Sequence, residues 1–163
     1  MQPLTEAQIR SSFVNATKSE AERVPMPGLH EMVWEEREYL GWHDARAPRR
    51  AYLTVWQDDR PVSLVLRAAE RSSRRGISAM CSLCQMPQPG AQVTLFTAPR
   101  PGDAGRNGDT VGMYICADLG CSAIIRIAPP PAPMQIPPEE IVQRRIEGLR
   151  SRVHAFTEGV LHA

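Results

Sequence analysis

Lysine is almost absent from this sequence: Lys18 is the only one among 163 residues, and the other basic residues are arginines. Two readings of that bias stand. One is a GC-rich genome that favours arginine codons; the other is a guanidinium surface suited to carboxylate or phosphate partners. Net charge is also scarce, at +1, so the molecule as a whole is not built to bind polyanions. The arginines nevertheless cluster: Arg46, Arg49 and Arg50; Arg67, Arg71, Arg74 and Arg75; Arg144, Arg145, Arg150 and Arg152. No stretch approaches the ~20 apolar residues of a membrane-spanning helix. Residues 1–13 lack the basic segment followed by an apolar run that marks a secretory leader, and the expected localisation is cytoplasmic. No glycine-rich phosphate loop of the Walker or Rossmann type is present. His30, His43, His154 and His162 form no His-x-x-x-His or Glu-rich metal motif, and the adjacency of His43 and Asp44 does not by itself give a general base and its orienter. Glu35, Glu36 and Glu38 read as a solvated face. With no convergent catalytic motif, a non-enzymatic protein is expected.

What the chain does have is four cysteines in two tight pairs, Cys81-Ser82-Leu83-Cys84 and then Cys116 with Cys121. In a reducing compartment such pairs favour metal over disulfide. Each pair can chelate one edge of a tetrahedron, because a separation of two to four residues lets a tight turn present both sulfurs. Between the pairs lie a turn, two predicted strands and a loop, so a hairpin returns the second pair to the first. Knuckle, hairpin, then two ligands near a helix start is the treble-clef order. A zinc ribbon more often carries two similar Cys-x-x-Cys knuckles. A redox Cys-x-x-Cys leaves the second pair unexplained. An iron–sulfur cluster is chemically open to four thiolates, but a closed zinc site is commoner. Four thiolates leave no position for water, so the expected zinc is single and structural.

The rest of the chain predicts an α+β fold. Residues 3–16 read as a short helix with Thr5 as cap and Gln8 completing a capping box; a second short helix starts near Ser19 and ends by Pro25 and Pro27. Residues 28–40 are ambiguous, and Leu40-Gly41-Trp42 then gives way to a polar stretch ending at Pro48. Residues 52–56 and 62–66 form a predicted β-hairpin. Strands are predicted over 93–97 and 111–115, joined by a Gly/Pro/Asn/Asp-rich loop long enough to expect a mobile tip. After the second cysteine pair comes a short helix or strand. Residues 128–133 are a stiff proline-rich spacer. Pro137 and Pro138 then start a long helix with Glu139 and Glu140 at its positive end. Its stripe of Val142, Ile146, Leu149, Val153, Phe156 and Val160 defines one apolar face, better suited to docking than to a coiled coil.

The runs Leu40 to Asp44, Ala47 to Leu53, Val62 to Arg67, Cys81 to Cys84 and Tyr114-Ile115-Cys116-Ala117-Asp118-Leu119-Gly120-Cys121 resemble the FBP family, elongation factor G-binding proteins of the fusidic-acid-resistance type with a C-terminal treble-clef zinc finger. The resemblance implies an N-terminal helical segment over 1–40 and a zinc-finger domain with its C-terminal helix over 41–163. It implies Cys81, Cys84, Cys116 and Cys121 as zinc ligands. It implies elongation factor G, and through it the ribosome, as partner, with release of the factor from the ribosome as the activity. Leu83, Tyr114 and Phe156 become candidates for the partner surface, and Arg74 and Arg75 join them as basic residues before the knuckle. A direct RNA-binding module is the competing expectation, with Arg67, Arg71, Arg74 and Arg75 tracking a phosphate backbone.

Overall fold

Thr5 and Thr17 each start a helix. Thr5 Oγ1 accepts from the Gln8 amide (3.2 Å) while Gln8 Oε1 accepts from the Thr5 amide (2.8 Å), the reciprocal capping box the sequence predicts, and α1 runs over Glu6–Ser11. Thr17 and Glu20 repeat the device (2.8 and 3.2 Å) to start α2, Lys18–Glu22. The computed structural model describes residues 1–70 and 78–162; the predicted partner residues Arg74 and Arg75 lie outside them. α1 ends well short of residue 16 because residues 12–14 leave the helix to bond a strand. Ser63 donates to Ser12 O (2.9 Å) and Val14 donates to Ser63 O (3.1 Å).

That strand belongs to a five-stranded antiparallel sheet whose strands lie side by side in chain order. Its members are β1 (Leu40–His43), β2 (Arg50–Gln57), β3 (Arg60–Ala68), β6 (Val93–Pro99) and β7 (Thr110–Cys116); β4 (Ser78–Met80) and β5 (Pro87–Pro89) form a separate two-stranded ladder. The β2–β3 hairpin is the predicted one, extended at both ends. Asp58 and Asp59 turn it with φ of 45° and 62°, the positive values a two-residue hairpin connection needs. β3 pairs with β6 only at Arg67↔Thr97 and Ala68↔Phe96. Where the strands diverge, Asn15 fills the gap: its amide donates to Val65 O and Pro99 O (both 3.0 Å) and accepts from Val65 N (2.8 Å). Residues 12–15 therefore satisfy main-chain groups that an open sheet edge would leave bare.

Leu40-Gly41-Trp42, to which the sequence assigns no element, forms most of β1, paired with β2 at Leu40↔Thr54 through His43↔Ala51. One expectation is corrected here. The loop after β6 is not irregular: it holds α3, Gly102–Arg106, and closes through Arg100 N to Asp109 O (3.0 Å) and an Arg100–Asp109 ion pair (3.1 Å).

Alternation along β2 explains the two-sided burial. Ala51, Leu53 and Val55 face one core with Leu64, Leu66, Phe96 and the four cysteines. Tyr52 faces the other with Leu4, Ile9, Val24, Trp34, Leu40 and Trp42. The N-terminal segment thus covers one face of the sheet. The other is covered by the cysteine-bearing loops and by the long helix α5, Pro138–Leu161, which buries Leu149, Val153, Phe156 and Val160. The predicted apolar stripe docks on its own protein. Among the described residues no helix is long and apolar enough to cross a membrane.

Candidate metal centre

Each cysteine pair sits in a backbone turn that only long-range packing completes. In the first knuckle Gln85 donates to Cys81 O (2.8 Å) and adopts φ of 55°, which reverses the chain so that Cys81 N can reach Met86 O (3.4 Å). Cys84 N points at Cys81 Sγ (3.4 Å), a donor aimed at a sulfur that must carry negative charge as a ligand. The Ser82 amide donates to Tyr114 O (2.8 Å), tying the knuckle to β7. β7 ends at Cys116. Leu119 then donates to Cys116 O (2.9 Å) with φ of 58°, Asp118 Oδ1 accepts from Gly120 N (2.8 Å), and Cys121 opens the short helix α4, Cys121–Ile124.

The result is a sulfur cage. Cys81 Sγ lies 3.6 Å from Cys121 Sγ, Cys84 Sγ lies 3.7 Å from Cys116 Sγ, and all four sulfurs fall within 4.8 Å of one another. A tetrahedron with zinc–sulfur bonds of ~2.3 Å has edges of about 3.8 Å, so the donor set fits one zinc ion. All four cysteines are buried. Left to themselves, four thiols this close share protons unevenly. Hydrogen bonds, first from Cys116 and then from Cys121, hold Cys81 and Cys84 below the usual thiol range, and contact first with Cys121 pushes Cys116 above it. Cys121 also ends raised, since the lowering contact with Cys116 is outweighed by Cys81, Cys84 and burial. A cation removes the conflict by letting all four ionise.

Three residues to which sequence reasoning gave no part in the metal site hold the second knuckle. Tyr39, fully buried, donates its hydroxyl to Leu119 O (2.9 Å); burial first, then the nearby Cys121 sulfur, keeps that hydroxyl well above its ordinary pKa, so it remains a donor. His43 Nε2 donates to Ala117 O (2.7 Å), and the acceptor-only carbonyl fixes the imidazole tautomer. Gly41 lies between them under Leu119: a Cβ there would sit 2.7 Å from Leu119 Cβ and 3.0 Å from Tyr39 Cε2. A lone glycine inside a strand marks such a close approach, a signal available only once β1 is known to be a strand. Gly41→Ala is expected to cost about 1–3 kcal/mol by overpacking and to speed zinc loss to a chelator. Gly159→Ala on α5, where a Cβ meets nothing within 4 Å, should leave the zinc untouched and hold or raise stability in the same denaturant titration.

Glu38 corrects a further expectation. It is not on a solvated face: its side chain is 0% exposed and pairs with Arg126. The fork is bidentate, Nη1 to Oε2 at 2.9 Å and Nη2 to Oε1 at 2.8 Å, and Arg126 Nη1 also donates to Ser122 O (2.8 Å). The Glu38 amide donates to Ser122 Oγ (3.1 Å). Glu38, chiefly through these bonds, holds the Arg126 guanidinium above its ordinary pKa. The pair pins the segment before β1 to the residues just after Cys121.

Of the side chains expected on a partner surface, the structure buries two. Leu83 is 0% exposed and Phe156 2% exposed, and both belong to the core around the cysteines. Arg152 Nε donates to Leu83 O (2.5 Å), so α5 closes over the knuckle and neither side chain is presented to a partner. Tyr114 is 53% exposed.

A family model described as FBP C-terminal treble-clef zinc-finger matches residues 8–160. Among solved structures, the one titled "Structure of the fusidic acid resistance protein FusC" is similar at 18% sequence identity with a TM-score of 0.56; the match covers 75% of this chain and 52% of that one. The chain thus spans about half the length of that protein, and at this identity the likeness is one of fold. No curated protein sequence matches the chain.

Proposed function

The chain belongs to the FBP C-terminal treble-clef zinc-finger family, and from that premise we propose that it is a non-enzymatic protein of the translation apparatus, which binds elongation factor G and promotes its release from the ribosome, as in fusidic acid resistance. The family match carries this reading. The closed thiolate cage supports its non-enzymatic part, because four sulfur ligands leave a zinc ion no position at which to activate water or polarise a substrate. Zinc here acts as a cross-link, and Cys81, Cys84, Cys116 and Cys121 hold it.

The partner surface we propose centres on Tyr114. Its main chain is anchored to the first knuckle through the Ser82 amide (2.8 Å), while its ring stands exposed on β7. Met80, 62% exposed, lies two residues before Ser82. An aromatic and a methionine held by a rigid metal-bound frame suit an interface, where both residue types are enriched and aromatic anchors supply much of the binding energy. The action takes place where ribosomes work, in the cytoplasm.

Titration calorimetry of the zinc-loaded protein against elongation factor G from the same organism tests the reading. One-to-one binding is expected, with Tyr114→Ala weakening it at least ~10-fold, the cost of losing a hot-spot side chain, at unchanged zinc content. Absence of heat at tens of micromolar would leave the zinc finger standing and overturn this function.

A further inference from the structure

A second surface, on the opposite face of the sheet from the cysteines, has a composition that elongation factor binding through Tyr114 does not use. β2 and β3 are in register with Arg50 directly opposite Arg67. Like charges facing each other across a ladder are destabilising, and among the described residues neither has a carboxylate within ion-pair distance. Together with Arg23 and Arg46 they line an open cleft of about 640 Å³ between α2, the segment after β1, and the β2–β3 hairpin. Arg49 extends the basic lining beyond Arg50 and Arg67; its ion pair with Glu70 is solvent-exposed at 67% and 86% and competes little with an added anion.

The carboxylates in the cleft are already engaged. Asp44, 6% exposed, accepts from Tyr52 Oη (3.0 Å) and from the Arg46 amide (2.9 Å). Glu20 accepts from the Thr17 amide and hydroxyl (both 2.8 Å) as part of the α2 cap. Arg23 is held in place by Ser19, through Nε to its carbonyl and Nη2 to its hydroxyl (both 3.0 Å). The guanidinium array is therefore positioned by the fold and outnumbers its counter-charges: Arg23, Arg46, Arg50 and Arg67 face only Glu20 and Asp44, the latter 3.8 Å from Arg46 Nε.

We propose that this cleft binds the phosphodiester backbone of RNA. Guanidinium forks match phosphate geometry. Phosphates spaced along a strand would neutralise the Arg50–Arg67 opposition that the sheet imposes. The only aromatic ring in the lining is Tyr52, which is 2% exposed and packed 5.1 Å from Trp42, so there is no platform on which a base could stack. The cleft reads charge without reading sequence. A protein partner would call for an exposed apolar or aromatic anchor. Val24, at 4% exposure, is part of the core, and the remaining apolar lining is small, so the lining fits RNA better than an acidic protein.

Fluorescence anisotropy with a labelled mixed-sequence single-stranded RNA, using the zinc-loaded full chain between about 50 and about 200 mM salt, tests the proposal. The wild type is expected to bind with a log–log salt slope near −3, the value for about four phosphate contacts on a single strand. Arg50→Gln/Arg67→Gln should weaken binding at least ~10-fold at the lower salt and flatten the slope by about 1.4. Its zinc content should be unchanged and its thermal midpoint unchanged or raised, since two opposed charges are gone. Arg106→Gln/Arg144→Gln, with the same charge change outside the cleft, should retain wild-type affinity within about twofold. Tyr114→Ala should bind RNA as the wild type does, which separates this surface from the elongation factor reading. A wild type that binds no RNA, a cleft variant that binds as tightly as the wild type, or polyglutamate competing as well as RNA at equal charge each overturns the proposal, the last by assigning the cleft to an acidic protein.

Discussion

Cys84→Ser abolishes zinc binding and unfolds more than the knuckle. Serine cannot replace a thiolate in a closed four-sulfur site, and the three remaining thiols would be left buried and in contact without their cation. Structural zinc contributes an apparent ~10–16 kcal/mol to the folding of finger-sized units, as much as the whole stability of a typical domain. The loss spreads because Cys81, Cys84, Cys116 and Cys121 share one core with Leu53, Leu66, Phe96, Leu149 and Phe156. We expect zinc per chain to fall from one to none, near-ultraviolet circular dichroism to collapse, and α5 to become accessible to protease. Chelation of the wild type should reproduce the effect. A Cys84→Ser protein that kept one zinc and a native spectrum would rule out the assignment of these four ligands.

Glu38→Ala is the second large effect, at about 3 kcal/mol. Removing the carboxylate leaves the Arg126 guanidinium, 21% exposed, with the Ser122 carbonyl but without its charge partner, and breaking a buried pair on one side is far costlier than replacing both members. Glu36→Ala, at a neighbouring exposed position, should stay within about 0.5 kcal/mol of the wild type. The double variant Glu38→Ala/Arg126→Met should recover much of the loss, because an apolar side chain then fills the space without a stranded charge. Denaturant titrations of the four proteins decide this. A Glu38→Ala cost no larger than that of Glu36→Ala would mean that the fork contributes nothing to holding the second knuckle.

How far the sequence could be read depends on the range of each interaction. The Thr5–Gln8 capping box is contained in four residues and formed as expected. The 52–56 and 62–66 strands were legible from β-branched and aromatic content around an Asp-Asp turn. β1 was not, because four residues with a central glycine carry no alternation strong enough to see, and its place comes from pairing with β2 and from Leu119 packing on Gly41. The glutamates at 35, 36 and 38 are indistinguishable by composition. Only the approach of Arg126, far along the chain, selects Glu38 for burial. Phe156 lies on the apolar stripe and could be read either way, whereas nothing local distinguishes Leu83 from Tyr114; it is α5 closing over the knuckle that buries Leu83.

The cysteine spacing alone determined a four-thiolate metal site and the order of elements around it, because thiolate chemistry and the reach of a tight turn are local properties. The spacing of apolar residues from Val142 to Val160 likewise determined that the last helix has one face to bury. Which surfaces remain open was decided only in three dimensions. Burial of Leu83, exposure of Tyr114 and the opposition of Arg50 to Arg67 depend on strand register and helix docking. Those are settled by contacts between segments distant in the chain, where the burial of one side chain is set by the shape of another.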